Sequence, residues 1–425
     1  MIVVVGAGIT GLALGWELAH LGEEFVVLEA SGRVGGVIRS GEVDGRILDW
    51  GPQRLRLTRK LTELLKATGL EGELLTAPAD LPLYVFRDGR LREVPFSIGA
   101  FARTDALSLR AKARAVLEPL TGAAKADETV AQCFTRKLGR EFYETLAGPL
   151  YGGLYASDPA EMEVGLSLIH TLRELRVGRS LGLRFLRSGG RLTPPPACSF
   201  RAGMEALPRA LARGLGDRLR TSTPVREIRR RGSGWSVQVD GGGIDAEAVV
   251  VTTPAPVAGS LLEGIAPSAA ALRQLRYNAL SVVHLHAQTP LRGMGFQVAL
   301  SERRLALRGV TFNDSLFGRR NLYTAYMGGG VRPEVARMAE EEIAALAVSE
   351  FRTCTGADAR VLAVAPVRIP AWDMSWRSLG PVELPPGIHV AANWWSRPGL
   401  PGRLSEAQRT AAALSRSSAS EPRRA

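Results

Sequence analysis

Six residues near the start of the chain, Gly6-Ala7-Gly8-Ile9-Thr10-Gly11, have the types and spacing that hold a diphosphate. The β-branched run from Ile2 to Val5 precedes them, and a helical stretch from Leu12 to Leu21 follows. In that setting Gly6 lets the chain turn tightly out of a strand, Gly8 lets backbone approach a pyrophosphate, and Gly11 lets the helix pack close to the sheet. The free N–H groups at the helix start, at the positive end of its dipole, face the phosphates. A second apolar run, Phe25 to Leu28, ends on Glu29, which is placed to accept hydrogen bonds from ribose hydroxyls. Strand, glycine turn, helix and acid occur in the order that the dinucleotide fingerprint demands, so the spacing predicts a dinucleotide-binding βαβ unit.

The glycine motif alone leaves NAD and FAD open. The cluster Arg33-Val34-Gly35-Gly36 resembles the second glycine motif of FAD-dependent amine oxidases and their relatives, and Asp49-Trp50-Gly51-Pro52 continues the resemblance. FAD is the cofactor this implies.

Pro and Gly punctuation divides the rest of the chain. Gly203 to Leu215 reads as helix; Val225 to Ile228, Trp235 to Val239 and Ala248 to Thr252 read as strands, the last two separated by the turn Asp240-Gly241-Gly242-Gly243. Further on, Ser281 to Ala287 and Tyr323 to Tyr326 read as strands and Pro333 to Phe351 as a helix. Gly387 to Ala392 reads as a last buried strand, followed by a loop and a helix from Ser405; the tail from Ser415 to Ala425 is expected to be disordered. The predicted fold class is α/β with an α+β insertion. A discontinuous Rossmann-like FAD-binding domain (1–77, 198–257, 386–425) is interrupted by a mixed-sheet substrate-binding domain (78–95, 258–385) and a helical domain (96–197), with the substrate cleft between the parts.

An apolar content of 45% and a charged content of 23% fit a soluble globular protein, and 425 residues allow two or three domains. No apolar run is long enough for a spanning helix. The first strand starts at Ile2, so no cleaved signal is expected and the protein is placed in the cytoplasm. Cys133, Cys198 and Cys354 are odd in number and without metal or redox spacing, which reads as buried thiols in a reducing compartment. His284 and His286 share one face of a strand but lack a third ligand, so no metal site is expected. The net charge of +12 comes almost entirely from arginine. No nucleic-acid-binding module accompanies it, so no nucleic-acid partner is expected; acidic membrane surfaces and polycarboxylate substrates stay open.

The middle of the chain resembles the porphyrinogen oxidases, flavoproteins that aromatise protoporphyrinogen IX or coproporphyrinogen III. The resemblance is carried by Tyr84 to Pro95, Asp127 to Val130, Arg136 to Glu141, Pro149 to Pro159, Ser199 to Met204, Gly309 to Phe317 with Gly328-Gly329, and His389 to Leu414. It implies FAD contacts at Gly6, Ala7, Gly8, Ile9, Thr10 and Gly11. It also implies them at Glu29, Arg33 and Val37, at Gly51, Pro52, Gln53 and Arg54, at Val225, and at Asn393 with Pro398, Gly399 and Leu400. The chain departs from the family pattern where Leu83 replaces an arginine that meets a substrate carboxylate. It departs again at Ile369, Met374-Ser375-Trp376, Ala392 and Glu406-Ala407. Glu406 would set a carboxylate near the flavin pyrimidine edge unless it turns outward.

The implied activity is the six-electron oxidation of a porphyrinogen, a CH–CH donor, in haem synthesis, in three rounds, with the flavin reoxidised by dioxygen as acceptor after each. The resemblance names no catalytic base. A macrocycle bearing carboxylates needs cationic anchors, and Arg54 or Arg56 is placed to replace the arginine absent at Leu83. Phe312, Tyr323 and Tyr326 are read as core strand residues or as an apolar pocket lining. From Leu172 to Arg187, four arginines and four leucines fall on adjoining arcs of one helix, a pattern that suits peripheral contact with the inner face of the cell membrane. Two other functions stand beside the leading one: another oxidoreductase of the same superfamily, and a flavin-binding partner protein that has lost catalysis. The oligomeric state is left open.

Overall fold

The computed structural model describes residues 1–174, 176–190, 195–396 and 399–420. A five-stranded parallel sheet runs in the order Leu219–Arg220, Phe25–Leu28, Ile2–Val5, Ala248–Val251, Ile388–Val390. Its three central strands are apolar on both faces and buried, as a sheet covered on two sides requires. Alternate residues separate cleanly. Val4, Val27 and Val250 pack under the helices Ile9–His20, Ala206–Leu215 and Leu400–Ser420. Val3, Val5 and Val249 pack against helix Ala255–Leu262 and a small antiparallel sheet of Val225–Arg231, Gly234–Val239 and Gly242–Ala246.

A second sheet has seven strands, in the order Ala359–Pro370, Tyr277–Ala287, Leu322–Gly328, Leu307–Phe312, Gly295–Val298, Leu83–Arg87, Arg90–Glu93. Its pairings are antiparallel except where Gly295–Val298 meets Leu83–Arg87. One face buries Phe296, Phe312 and Tyr323 under Phe351 of helix Glu340–Thr355. The period of two along a strand sends Thr311, Thr324 and Tyr326 to the other face, with His284 facing Thr324 across the pairing. Phe312 and Tyr323 are therefore core residues, whereas Tyr326 is not.

Between residues 96 and 197 the chain is a set of short helices, among them Leu109–Val116, Val130–Leu138, Gly148–Tyr155, Ile169–Glu174 and Leu181–Arg187. A buried ion pair fixes the last of these. Lys137 Nζ lies 2.7 Å from Glu118 Oε1, and the same carboxylate accepts from Leu181 N, Gly182 N and the hydroxyl of the N-cap Ser180. An acid at a helix N-terminus satisfies amides that the helix leaves free.

Four expectations are corrected. Leu172 to Arg187 is two helices rather than one: Arg176 takes a left-handed conformation (φ 52°) and Ser180 starts a new helix. Leu172 is then buried while Leu183 and Leu186 face out; Leu175 lies outside the described residues. Pro333–Arg337 is a separate tight turn before Glu340–Thr355, whose Glu342 carboxylate accepts from Ala339 N and so opens a new helix there. The terminal helix begins at Leu400 and extends through Ser415 to Ser420, since it carries alanines suited to helix; 421–425 lie outside the described residues. Finally, the glycines after Asp240 form the strand Gly242–Ala246, closing a hairpin where only a turn is expected from their types.

Candidate active site

The glycine turn leaves its strand through Gly6 at φ 104°. The helix Ile9–His20 starts at Gly8, and no side chain caps it. Its first amides are thus available to an anion, and a methyl group at Gly8 would meet nothing within 4 Å. Gly11 is the opposite case. A methyl group there would sit 1.9 Å from the Gly6 carbonyl oxygen, so only glycine lets the helix lie this close to the strand end. Ile9 and Thr10 are buried beneath the turn, and Thr252 Oγ1 donates to the Val5 carbonyl at 2.9 Å.

Glu29 closes the turn from the neighbouring strand. Its Oε2 accepts from Ala7 N at 2.8 Å and its Oε1 from Ser31 N at 2.9 Å. The Arg33 cluster folds back beside it: Gly35 N donates to Ala7 O at 2.8 Å, Gly36 lies over the Cα of Gly8, and Arg33 Nη2 donates to Gly36 O at 2.6 Å. Val37 is 59% exposed, an apolar side chain open beside the turn. Gly51 must be glycine because a methyl group would lie 2.1 Å from the Val37 carbonyl oxygen. The segment leading to Val225 joins the same region, since Thr223 N donates to Glu29 O and Ser222 N to Ser31 O. Asn393 follows the strand Ile388–Val390, where Trp394 Nε1 donates to Thr253 O. Leu400 starts the terminal helix and is buried against the helix Ile9–His20, with Gly399 exposed just before it. Pro398 lies outside the described residues. The glycine turn, Glu29 and Asn393 thus gather at the carboxyl ends of the parallel strands, where open α/β sheets hold their ligands.

Asp49 anchors the next part of the site. Its carboxylate is wholly buried and accepts from Ser40 Oγ at 2.5 Å, Met204 N at 2.8 Å and Arg319 Nη1 at 2.6 Å. Gln53 then turns into the seven-stranded sheet. Its amide donates to the Gly51 carbonyl at 3.1 Å, and its Oε1 accepts from Thr324 Oγ1 at 3.1 Å. Thr324 Oγ1 also lies 3.1 Å from His284 Nδ1 and accepts from Asn313 Nδ2 at 2.8 Å. Burial holds the His284 imidazole neutral, pushing its pKa down to about 4; the Asp49 carbonyl opposes this and the Arg319 charge adds to it.

Arg54, the next residue, has protein on nearly every side yet keeps part of its surface open to water, as does Tyr326 beside it. Burial lowers the Arg54 pKa and raises that of Tyr326, whose hydroxyl lies 3.2 Å from Thr311 Oγ1. Arg56 behaves differently: it reaches away and donates to the Pro195 carbonyl at 2.9 Å. Glu406 neither turns out to solvent nor stands alone. It is 8% exposed and paired with Arg409, and its charge also favours the protonated form of the buried Arg403.

Arg319 joins these residues although nothing singles it out in the sequence, whereas Asn313 lies within the Gly309 to Phe317 segment. Thr324 and Tyr326 do carry one legible sign, the alternation of polar residues on an otherwise apolar strand. All three cysteines are free and buried, and burial pushes the Cys133 and Cys198 thiols up to about 11.

The profile of the family described as flavin containing amine oxidoreductase matches residues 9–415, and the chain belongs to that family. It is 29% identical over 387 residues to protoporphyrinogen oxidase 1, chloroplastic, of Spinacia oleracea, covering 80% of this chain and 68% of the relative. It is 26% identical over 388 residues to the coproporphyrinogen III oxidase of Bacillus subtilis, covering 83% and 82%. In structure it is similar to a protein of Exiguobacterium sp. 255-15 provisionally assigned as a protoporphyrinogen oxidase, with a TM-score of 0.79, 23% identity and 98% of both chains covered. A flavin-containing family joined to a dinucleotide turn makes the cofactor FAD, and the protein an FAD-dependent oxidoreductase. The residues present fit that cofactor: uncapped amides and open space at Gly8 suit the pyrophosphate, and Glu29 stands where the ribose would lie.

The neutral state of His284 has a consequence for stability. The unfolded chain takes up this proton near the ordinary histidine pKa of about 6.5, and the folded chain only near about 4. Stability is therefore complete above the upper value and declines as pH falls through the window, by at most about 1.4 kcal/mol per pH unit. Denaturant unfolding of the wild type and His284→Asn across that window should show the wild type losing stability faster on acidification. Parallel profiles would show that His284 is not held neutral.

Proposed function

We propose that this oxidoreductase converts a porphyrinogen, protoporphyrinogen IX or coproporphyrinogen III, to the porphyrin in haem synthesis. In this reading, six hydrogens leave the macrocycle in three two-electron rounds, and three dioxygen molecules become three hydrogen peroxide molecules. The observation that carries the reading is that both a protoporphyrinogen and a coproporphyrinogen oxidase align with four-fifths or more of the chain. When bound, FAD supplies the two-electron acceptor; the protein supplies placement and electrostatics. The residues around 1–77, 198–257 and 386–420 hold FAD, and the seven-stranded sheet, with its polar face, receives the substrate. Tyr326 offers the substrate a neutral hydroxyl backed by Thr311, and Thr324, Asn313 and neutral His284, buried behind it, add no charge there.

A second reading concerns where the enzyme works. Leu109, Val116, Leu117, Leu120, Leu183 and Leu186 are all exposed, on elements that pack together and also carry Arg110, Arg184 and Arg187. Leucines set among arginines suit peripheral contact with an anionic lipid surface. Among the described residues no helix is long and apolar enough to cross a membrane.

Two assays test these readings. Incubating holoenzyme with each porphyrinogen in air should give porphyrin fluorescence, with about three peroxides per porphyrin as the stoichiometry above requires. Retained FAD with neither porphyrin nor peroxide from either substrate would refute the oxidase reading. Flotation with anionic phosphatidylglycerol vesicles should carry wild-type protein upward, and a Leu183→Ser/Leu186→Ser variant should lag. Wild-type protein that stays at the bottom of the gradient would refute lipid contact.

A further inference from the structure

Arg54 is an expensive residue to leave as it stands. A guanidinium with protein on nearly every side loses hydration and normally regains the energy from a carboxylate or from several carbonyls. Among the described residues none of these reaches Arg54, and its Nη1 is buried with no hydrogen-bond partner. The nearby carboxylate, Asp49, is already used by Arg319, Ser40 and Met204. What borders Arg54 is Tyr326, a phenol kept neutral by its burial. The cation is therefore uncompensated from within the protein, and it sits where water still reaches part of it.

The sheet places this charge close to the position that the family pattern would fill with a different arginine. Leu83 pairs with Gly295, and Gly295 with Thr311, whose hydroxyl meets that of Tyr326. Leu83 and Thr311 are thus two strands apart in one row, a spacing of roughly 10 Å. Leu83 thus lies in the same row of the sheet as the Thr311 hydroxyl that meets Tyr326, the neighbour of Arg54. Arg56, the other candidate, is turned away and engaged by Pro195.

We propose that Arg54 is the anion receptor of the cleft and takes a carboxylate of the substrate, with the Tyr326 hydroxyl as its neutral neighbour. The identity of that substrate as a porphyrinogen rests on the function proposed above; the carboxylate chemistry rests on Arg54 itself. Arg54 here is a specificity-determining residue, and the chain meets the need for an anchor from the Gly51 turn rather than from the strand Leu83–Arg87.

The test uses FAD-loaded protein and measures binding without turnover. Coproporphyrin III, protoporphyrin IX and their methyl esters are titrated into wild type, Arg54→Leu and Arg54→Lys, following porphyrin fluorescence. Loss of one charge-assisted carboxylate contact should weaken binding of the free acids by about 10- to 100-fold in Arg54→Leu. The esters should bind both proteins alike and Arg54→Lys should recover part of the affinity, all compared at equal FAD occupancy. Equal binding of the acids by wild type and Arg54→Leu overturns the proposal. So does a variant whose FAD content falls while porphyrin affinity is unchanged, since Arg54 would then serve the cofactor. Wild-type protein that binds none of the porphyrins would refute the porphyrinogen reading instead. In that event benzoate decides for Arg54: it should perturb the flavin spectrum of wild type and not of Arg54→Leu, and an equal response in both overturns the receptor.

Discussion

The buried ion pair between Asp49 and Arg319 ties together the parts on which the site depends. Asp49 ends a short strand, and its carboxylate also binds Ser40 and the Met204 amide. Arg319 comes from the hairpin of the seven-stranded sheet and donates onward to Ser199 and Phe200. One pair thus joins the Gly51 turn, the edge of the parallel-sheet region and the second sheet. Such a pair contributes little net stability compared with apolar packing, yet losing one partner costs about 3–5 kcal/mol because a bare charge stays buried. Its role is positional: Gln53 and Arg54, four and five residues on, can face the second sheet only if Asp49 is fixed.

From that anchor the arrangement follows step by step. Gly51 must be glycine to pass the Val37 carbonyl, Gln53 spends its side chain on the turn and on Thr324, and Arg54 is left with its Nη1 buried and unpartnered. On the other side, the close approach of Gly11 to Gly6 holds the helix start against the strand end, where its amides are free. The glycine turn and the polar face of the second sheet are therefore set relative to each other by two glycines that admit no side chain and one buried ion pair.

The glycine turn was legible in the sequence and the polar face of the second sheet only partly. Glycine spacing reports local backbone needs, so Gly6, Gly8, Gly11 and Glu29 could be placed from types and distances alone. Four of the five parallel strands were legible for a related reason, since strands buried on both faces are continuous apolar runs, whereas the short edge strand Leu219–Arg220 is neither buried nor apolar throughout. The partners of Asp49 were not legible. Arg319 lies 270 residues away, and one arginine among so many has no local pattern. The sharing of faces along Phe312, Tyr323 and Tyr326 also needed the register, because a single-residue shift reverses which side a strand residue takes. The amphipathic stretch from Leu172 misled through periodicity: the repeat is present, but Arg176 in a left-handed conformation and the Ser180 cap break it into two helices with different exposures.

In the proposed reaction, a flavin held at the glycine turn takes electrons from a porphyrinogen whose carboxylate meets Arg54. Mixing holoenzyme with coproporphyrinogen III, and separately with protoporphyrinogen IX, in the absence of oxygen tests this in a single turnover. The visible absorption of the oxidised flavin should bleach with at least one of the two and return when oxygen is admitted. A flavin that stays oxidised with both substrates would contradict the account.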